Sequence, residues 1–156
     1  MKFSPENLVI RKLTSEDLSG FSSLIHLFNH VFEEADPAIG SDANLQRLLC
    51  SDNFIAVAAI LENEVIGGLT AYVLPMYYSD FPEVFLYDMA VHPAYQRLGI
   101  GKKLINGLKG WCLQNGVKDF FVLAHEEDIH AVEFYHAAGG KSEKVVNFLF
   151  QTPPNY

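Results

Sequence analysis

The sequence predicts a mixed α/β fold of one domain over residues 1–156, built on a single sheet. Three observations carry this. The hydrophobic period alternates between two and about 3.6 along the chain, in the order β-α-α-β-β-β-α-β-α-β. The length of 156 residues suits one domain. Apolar residues make up 49% and charged residues 19%, enough for one solid core and too apolar for a disordered chain.

Asn7 to Leu13, with β-branched Val9 and Ile10, reads as a short strand. Thr14 reads as an N-cap, with Glu16 and Asp17 in the following turn. From Asp17 to Phe32, Leu18, Phe21, Leu24, Ile25, Phe28 and Val31 recur at steps of three and four, an amphipathic helix. Glu33 to Pro37 is an acidic loop, and Ser41 caps a short helix bearing Leu45, Leu48 and Leu49. Phe54–Leu61 and Val65–Leu74 are strands joined by a three-residue turn, Glu62-Asn63-Glu64. Pro75 to Pro82 is a loop and Glu83–Val91 a strand. Gly99–Asn115 is a helix closed by Gly116. Lys118–Ala124 is a strand, Ile129–Ala138 a helix and Val145–Phe150 a last strand.

Eleven basic against 19 acidic residues give a formal charge of −8. Such a surface repels phosphate backbones, which argues against nucleic acid, and draws cations inward. The opening residues carry no apolar leader and no run approaches the roughly 20 residues of a membrane span, so a cytoplasmic protein without membrane contact is expected. Cys50 and Cys112 form no C-x-x-C pair; two reduced, packed thiols and no metal site are expected.

The most informative stretch is Asp88-Met89-Ala90-Val91-His92-Pro93, then Gln96-Arg97-Leu98-Gly99-Ile100-Gly101, opening at once into a helix. A helix start offers amides without internal partners and an electropositive dipole end, and glycines let backbone approach phosphate oxygens. Arg97, Lys102 and Lys103 place three of the eleven basic residues there. The spacing is not that of a P-loop, since Lys103 follows Gly101-Lys102, nor of a dinucleotide fingerprint, since Leu104 stands where the last glycine belongs.

These two runs resemble the acetyl-CoA motif of the GNAT superfamily of N-acetyltransferases. Ala131-Val132-Glu133-Phe134-Tyr135-His136-Ala137-Ala138-Gly139 resembles that superfamily's later helix, with Gly140 in place of its final aromatic. The resemblance implies the acyl-CoA N-acyltransferase fold, a mixed and mostly antiparallel sheet flanked by about four helices. A narrower likeness, in F-I-A-V-A-A at 54–59, A-Y-V-L-P at 71–75, L-Y-D-M-A-V at 86–91 and L-I-N-G-L-K at 104–109, is to class I aminoglycoside 3-N-acetyltransferases. It implies transfer of acetyl from acetyl-CoA to the 3-amino group of a 2-deoxystreptamine ring, and a homodimer. Another small amine, a polyamine or a protein amine is the alternative acceptor; a CoA-binding module without chemistry is the alternative of another class.

By the same resemblance, main-chain groups of Met89, Ala90 and Val91 hold the pantetheine arm, and an N–H near Met89 polarises the thioester. Arg97, Leu98, Gly99, Ile100, Gly101 and Lys102 hold the pyrophosphate. Tyr135 lies at the cofactor sulfur as general acid. Asp128 stands where relatives place a pantetheine-binding Asn; an acid cannot donate that bond, so it can serve the acceptor instead.

An attacking amine must first lose a proton. Asp88, charged in the apolar strand Val84-Phe85-Leu86-Tyr87, is the expected acceptor-binding group and base. Alternation puts it with Leu86, opposite Glu83, Phe85 and Tyr87, unless a bulge breaks the parity. Acidic runs at Glu33-Glu34, Glu83 with Asp88, and Glu126-Glu127-Asp128 are candidates for holding ammonium groups, although each alone reads as a solvated loop. His26 and His30, at i and i+4, lack the pattern of a metal pair; His125, His130 and His136 are minor candidates for proton transfer.

Overall fold

The computed structural model describes residues 5–152. Met1–Ser4, read for the absence of a leader, lie outside the described residues. The chain divides into two units between Leu123 and Ala124.

In the first unit, β1 (Leu8–Lys12), β2 (Phe54–Leu61), β3 (Glu64–Leu74), β4 (Glu83–Val91) and β5 (Phe120–Val122) form one sheet in sequence order. The first four strands run antiparallel and β4–β5 is parallel. Helices α1 (Leu18–Val31), α2 (Asp42–Leu49) and α3 (Ile100–Gln114) complete it. The second unit contains α4 (Ile129–Ala137) and a segment without regular structure that follows it. No helix among the described residues is long and apolar enough to cross a membrane.

Cross-strand partners share a face, so the register sorts the core into two layers. Phe54, Ala56 and Ala58 lie opposite Tyr72, Thr70 and Gly68 and pack with Phe21, Leu24 and Phe28 of α1 and Leu45 of α2. The other face carries Ile10 and Val57, which lie under Gly107 of α3. Leu69, Ala71, Val84 and Leu86 belong to that face by register, and Leu104 and Leu108 of α3 are fully buried. Each such leucine contributes roughly 1.5–3 kcal/mol by leaving water.

Several local readings are corrected. Thr14 does not cap α1: the N-cap is Asp17, whose carboxylate reaches back to the Thr14 N–H at 2.7 Å and to Arg11 at 2.6 Å. The Arg11 hydrogen bonds hold the Asp17 carboxyl well below the usual carboxylate range. The β2–β3 turn is a two-residue one, because Leu61 pairs with Glu64 and both Glu62 and Asn63 have positive φ, the pattern of a type I′ hairpin. Strand β5 is three residues long instead of seven. Cys112 is buried, but Cys50, at the end of α2, is exposed.

The expected strand Val145–Phe150 is not formed. A strand exists only with a ladder partner, and this segment has none among the described residues. Val145, Val146, Phe148, Leu149 and Phe150 are all largely exposed.

Ser41 caps α2 as expected, accepting from the Asn44 N–H. Gly116 (φ 70°) closes α3, with the Val117 N–H donating back to the Cys112 carbonyl at 2.9 Å, the six-to-one bond of a Schellman end.

Gly68 is where α1 sits down on the sheet. A Cβ there would lie 2.6 Å from Leu24 Cδ1 and 2.7 Å from the Val57 carbonyl oxygen. Gly68→Ala is expected to cost about 1–3 kcal/mol through overpacking. Thermal unfolding should show a drop of roughly 2–4 °C for each kcal/mol lost; an unchanged midpoint would mean that α1 is not seated by this contact.

Candidate active site

Strand β4 changes character halfway along. Thr70 pairs with Asp88 but the next residue, Ala71, pairs with Leu86, so Tyr87 is an extra residue in a bulge. The bulge resets the side-chain phase. Asp88 therefore falls on the face of Thr70, Tyr72, Phe85 and Glu83, not with Leu86 as plain alternation would put it. That face is the one covered by α1.

The partner strand ends at the same place. Strand β5 pairs with Val84, Phe85 and Leu86 only, so from Tyr87 to Val91 no strand among the described residues covers that edge of β4. The His92 N–H donates to the Ile66 carbonyl at 2.8 Å, and Ala90 pairs with Gly68. Backbone groups alternate sides in an antiparallel ladder, so those of Met89 and Val91 turn to the uncovered edge. The Val91 carbonyl there accepts from Gln96 Nε2 at 3.0 Å.

The chain then turns through a 3-10 segment, Pro93–Tyr95, in which His92 Nδ1 accepts the Ala94 N–H at 3.2 Å. Arg97 (φ 63°) and Gly99 (φ 79°) are both left-handed. Gly99 is the N-cap of α3 and offers no side chain to its first turn, whereas Ser41 and Asp128 cap α2 and α4. Arg97, Leu98, Lys102 and Lys103 are exposed around this start, Gly101 is half-buried, and Ile100 anchors it in the core. Uncapped amides, a left-handed glycine and three flanking cations are the components of an anion site at a helix head.

At the end of α1, an open cavity of about 560 Å³ is lined by His26, Asn29, His30, Glu33, Glu34 and Pro37. It forms because α1 ends in a left-handed Glu33 (φ 53°), while Asn29 Nδ2 holds the loop through the Ala38 carbonyl at 3.0 Å. The His30 ring stacks on that of His92 at 6.1 Å between centroids. Burial and, secondarily, the Glu34 carboxylate push the half-buried Asp88 carboxyl above its ordinary value. A carboxylate raised in this way suits a base for an ammonium group.

The sequence-derived candidates thus divide. The Glu34 carboxylate adds to the rise of the Asp88 carboxyl, and Glu33 and Glu34 line the cavity. Glu83 lies on the same face but accepts a hydrogen bond from the Tyr78 hydroxyl. In the second unit, Glu126 and Glu127 lie in the turn before α4, and the Asp128 carboxylate caps that helix through the Ala131 N–H at 3.0 Å. Tyr135 lies in α4, its ring against Phe134. His26 and His30 line the cavity although sequence reasoning set them aside. Their signal was a polar face at 26, 29, 30 and 33 on an otherwise apolar helix. Among the described residues no group of His, Cys, Asp and Glu is placed to hold a metal ion.

Fold and site together describe an α/β protein with an uncovered strand edge that runs directly into an uncapped helix head. The chain belongs to the GNAT family of acetyltransferases, whose family model matches residues 21–139. It is similar to the aminoglycoside acetyltransferase meta-AAC0020 from an uncultured soil metagenomic sample, solved with trehalose, at 40% identity and TM-score 0.92 over 96% of this chain and 99% of that one. The same protein solved with sisomicin aligns at TM-score 0.92 and 40% identity over 95% and 98%. The aminoglycoside acetyltransferase HMB0005, also from an uncultured soil metagenomic sample, is 32% identical with TM-score 0.89 over 94% and 99%. The aminoglycoside N-acetyltransferase AAC(6')-Iy with CoA shares the fold at 20% identity, with TM-score 0.76 over 92% and 94%. The comparison with curated proteins finds no match.

The raised Asp88 pKa has a definite sign in stability. The fold disfavours the ionised form, so its cost is absent below the ordinary carboxylate pKa of about 3.9 and fully present above the raised value. Asp88→Asn should melt higher than the wild type at pH 7, with the two converging as pH falls through that window. A difference that does not change with pH between 3 and 8 would rule out this cause. In Glu34→Gln, carboxyl NMR titration should show the Asp88 pKa lower than in wild type but still raised, since burial is the larger cause.

Proposed function

We propose that this chain transfers the acetyl group of acetyl-CoA to an amine of an aminoglycoside, at the 3-amino group of the 2-deoxystreptamine ring. The observation that carries the reading is the β4 edge left bare after Tyr87, leading into the uncapped head of α3. It offers an extended acyl-pantetheine arm a strand to pair with and gives its pyrophosphate a set of free amides. The relatives named as aminoglycoside acetyltransferases support the acceptor class, and one was solved with sisomicin. The 3-position rests on the likeness at 54–59, 71–75, 86–91 and 104–109 alone.

In this reading the amides of residues 97–102 hold the pyrophosphate, and main-chain groups of Met89, Ala90 and Val91 hold the pantetheine. The outward N–H of Met89 donates to the thioester oxygen as negative charge builds there. Asp88 takes a proton from the ammonium group, directly or through water. The amine nitrogen then bonds to the thioester carbon, the C–S bond breaks, Tyr135 protonates the leaving sulfur, as the resemblance assigns it, and the second proton shed by the nitrogen as the amide forms returns through water to the Tyr135 phenolate. Glu33 and Glu34 hold further ammonium groups, with Glu83 as a further carboxylate on the acceptor. The exposed apolar segment Val145–Phe150 supports a homodimer in which a second copy supplies its ladder partner.

Incubation with acetyl-CoA and sisomicin should release free thiol and leave one acetyl group on the 3-amino nitrogen by NMR. No turnover on any 2-deoxystreptamine drug rejects the acceptor; acetylation at another nitrogen rejects the position. Asp88→Asn and Tyr135→Phe should each lower kcat by about 10²–10⁴-fold, the usual range for a general acid or base. Unchanged rates would remove the roles given to these two residues.

A further inference from the structure

The sheet face that carries α1 continues past that helix toward β4 and β5 as a run of aromatic rings. Phe54, in the core, contacts Tyr72 at 5.3 Å; Tyr72 meets Tyr87 at 5.6 Å, and Tyr87 meets Phe85 at 5.5 Å. Phe85 stacks on Phe121 at 4.8 Å with planes 7° apart. Register puts Tyr72, Phe85 and Phe121 on one face, and the ring contacts bring the bulged Tyr87 to it. Phe54 is 4% exposed, Tyr72 and Phe85 are half-buried, and Tyr87 (56%) and Phe121 (42%) reach solvent. Asp88 adjoins Tyr87 on the same face. Asp88 and Tyr87 also lie close enough to Tyr72 to raise its hydroxyl pKa, after burial.

A protein of this charge gains nothing from showing rings to water, and carboxylates beside them argue against an uncharged apolar partner. A flat aromatic surface bordered by acids suits a ligand that is ring-shaped and cationic. Sugar C–H faces lie on the electron-rich ring faces, and ammonium groups are attracted both to those faces and to the neighbouring carboxylates. A linear polyamine has no face to stack.

We propose that Tyr87 and Phe121, backed by Tyr72 and Phe85, form a stacking floor for a second sugar ring of a cationic oligosaccharide acceptor, while Asp88 and Glu34 meet its ammonium groups. This rests on the acceptor class proposed above and adds what selects a multi-ring acceptor over a single aminocyclitol. Tyr87 and Phe121 are specificity residues in this account and take no proton.

The test is calorimetric titration of sisomicin into the full chain and its Tyr87→Leu and Phe121→Leu variants, with 2-deoxystreptamine binding followed by NMR saturation transfer. Each leucine variant should weaken sisomicin at least tenfold, leave 2-deoxystreptamine within twofold, and keep its melting point. Tyr87→Phe, which retains the ring, should bind as wild type. Folded leucine variants that bind sisomicin normally overturn the proposal, as does equal weakening of both ligands or a wild type that binds no sisomicin. Leucine variants that turn a dimer into monomers with unaltered sisomicin binding would assign the surface to a second copy instead. A wild type that binds sisomicin but releases no thiol would reject acetyl transfer and leave the stacking floor standing.

Discussion

One extra residue in β4 governs the site. With Tyr87 unpaired, the strand's first half is an ordinary sheet member held between β3 and β5, and its second half is in a new phase with one edge bare. The reset turns Asp88 toward α1 and points the backbone of Met89 and Val91 away from β3. Without the bulge, Asp88 would join Leu86 on the face packed by α3, where an ionised carboxylate would be costly to bury. A single local irregularity thus separates a face made of side chains, Asp88 among them, from an edge made of main chain.

The remaining structure fixes these two sides. The main-chain edge runs into a turn that depends on Ile100, buried just inside α3, which holds Arg97 to Gly99 against the core. The face of Asp88 depends on α1. Its start is held by the Arg11–Asp17 pair, its middle by Leu24 on Gly68, and its end by Asn29 on the Ala38 carbonyl. The cavity wall of His26, His30 and Glu33 is therefore presented by a helix tethered at three levels.

Much of this was legible in the residues. The helical periods of α1 and α3 and the glycine closing α3 read correctly because packing and end geometry impose strong patterns on sequence. The loop 97–102 was legible because Gly99 and the clustered cations are conspicuous in an acidic chain. Other features left weaker traces. Thr14 and Asp17 are both capping residues, and only the place of Arg11 decides which carboxylate turns where. The bulge was conceivable but not locatable, since an inserted tyrosine in an aromatic strand has no compositional mark. Val145–Phe150 has the content of a strand, but a strand is a relation between two segments and the residues of one do not name the other. His26 and His30 were weighed only as a metal pair, and their place on a cavity wall depends on the loop after Glu33, whose path no spacing reveals.

The seating of Leu24 on Gly68 also bears on how such a protein can diversify. A larger residue beneath α1 at Gly68 meets the Val57 backbone and has nowhere to go. The stretch from Glu33 to Gly40 is exposed, tied to α1 by the Glu33 and Glu34 N–H groups and by Asn29 on the Ala38 carbonyl. A substitution in that stretch therefore reshapes the cavity wall while the sheet and the turn before α3 stay in place.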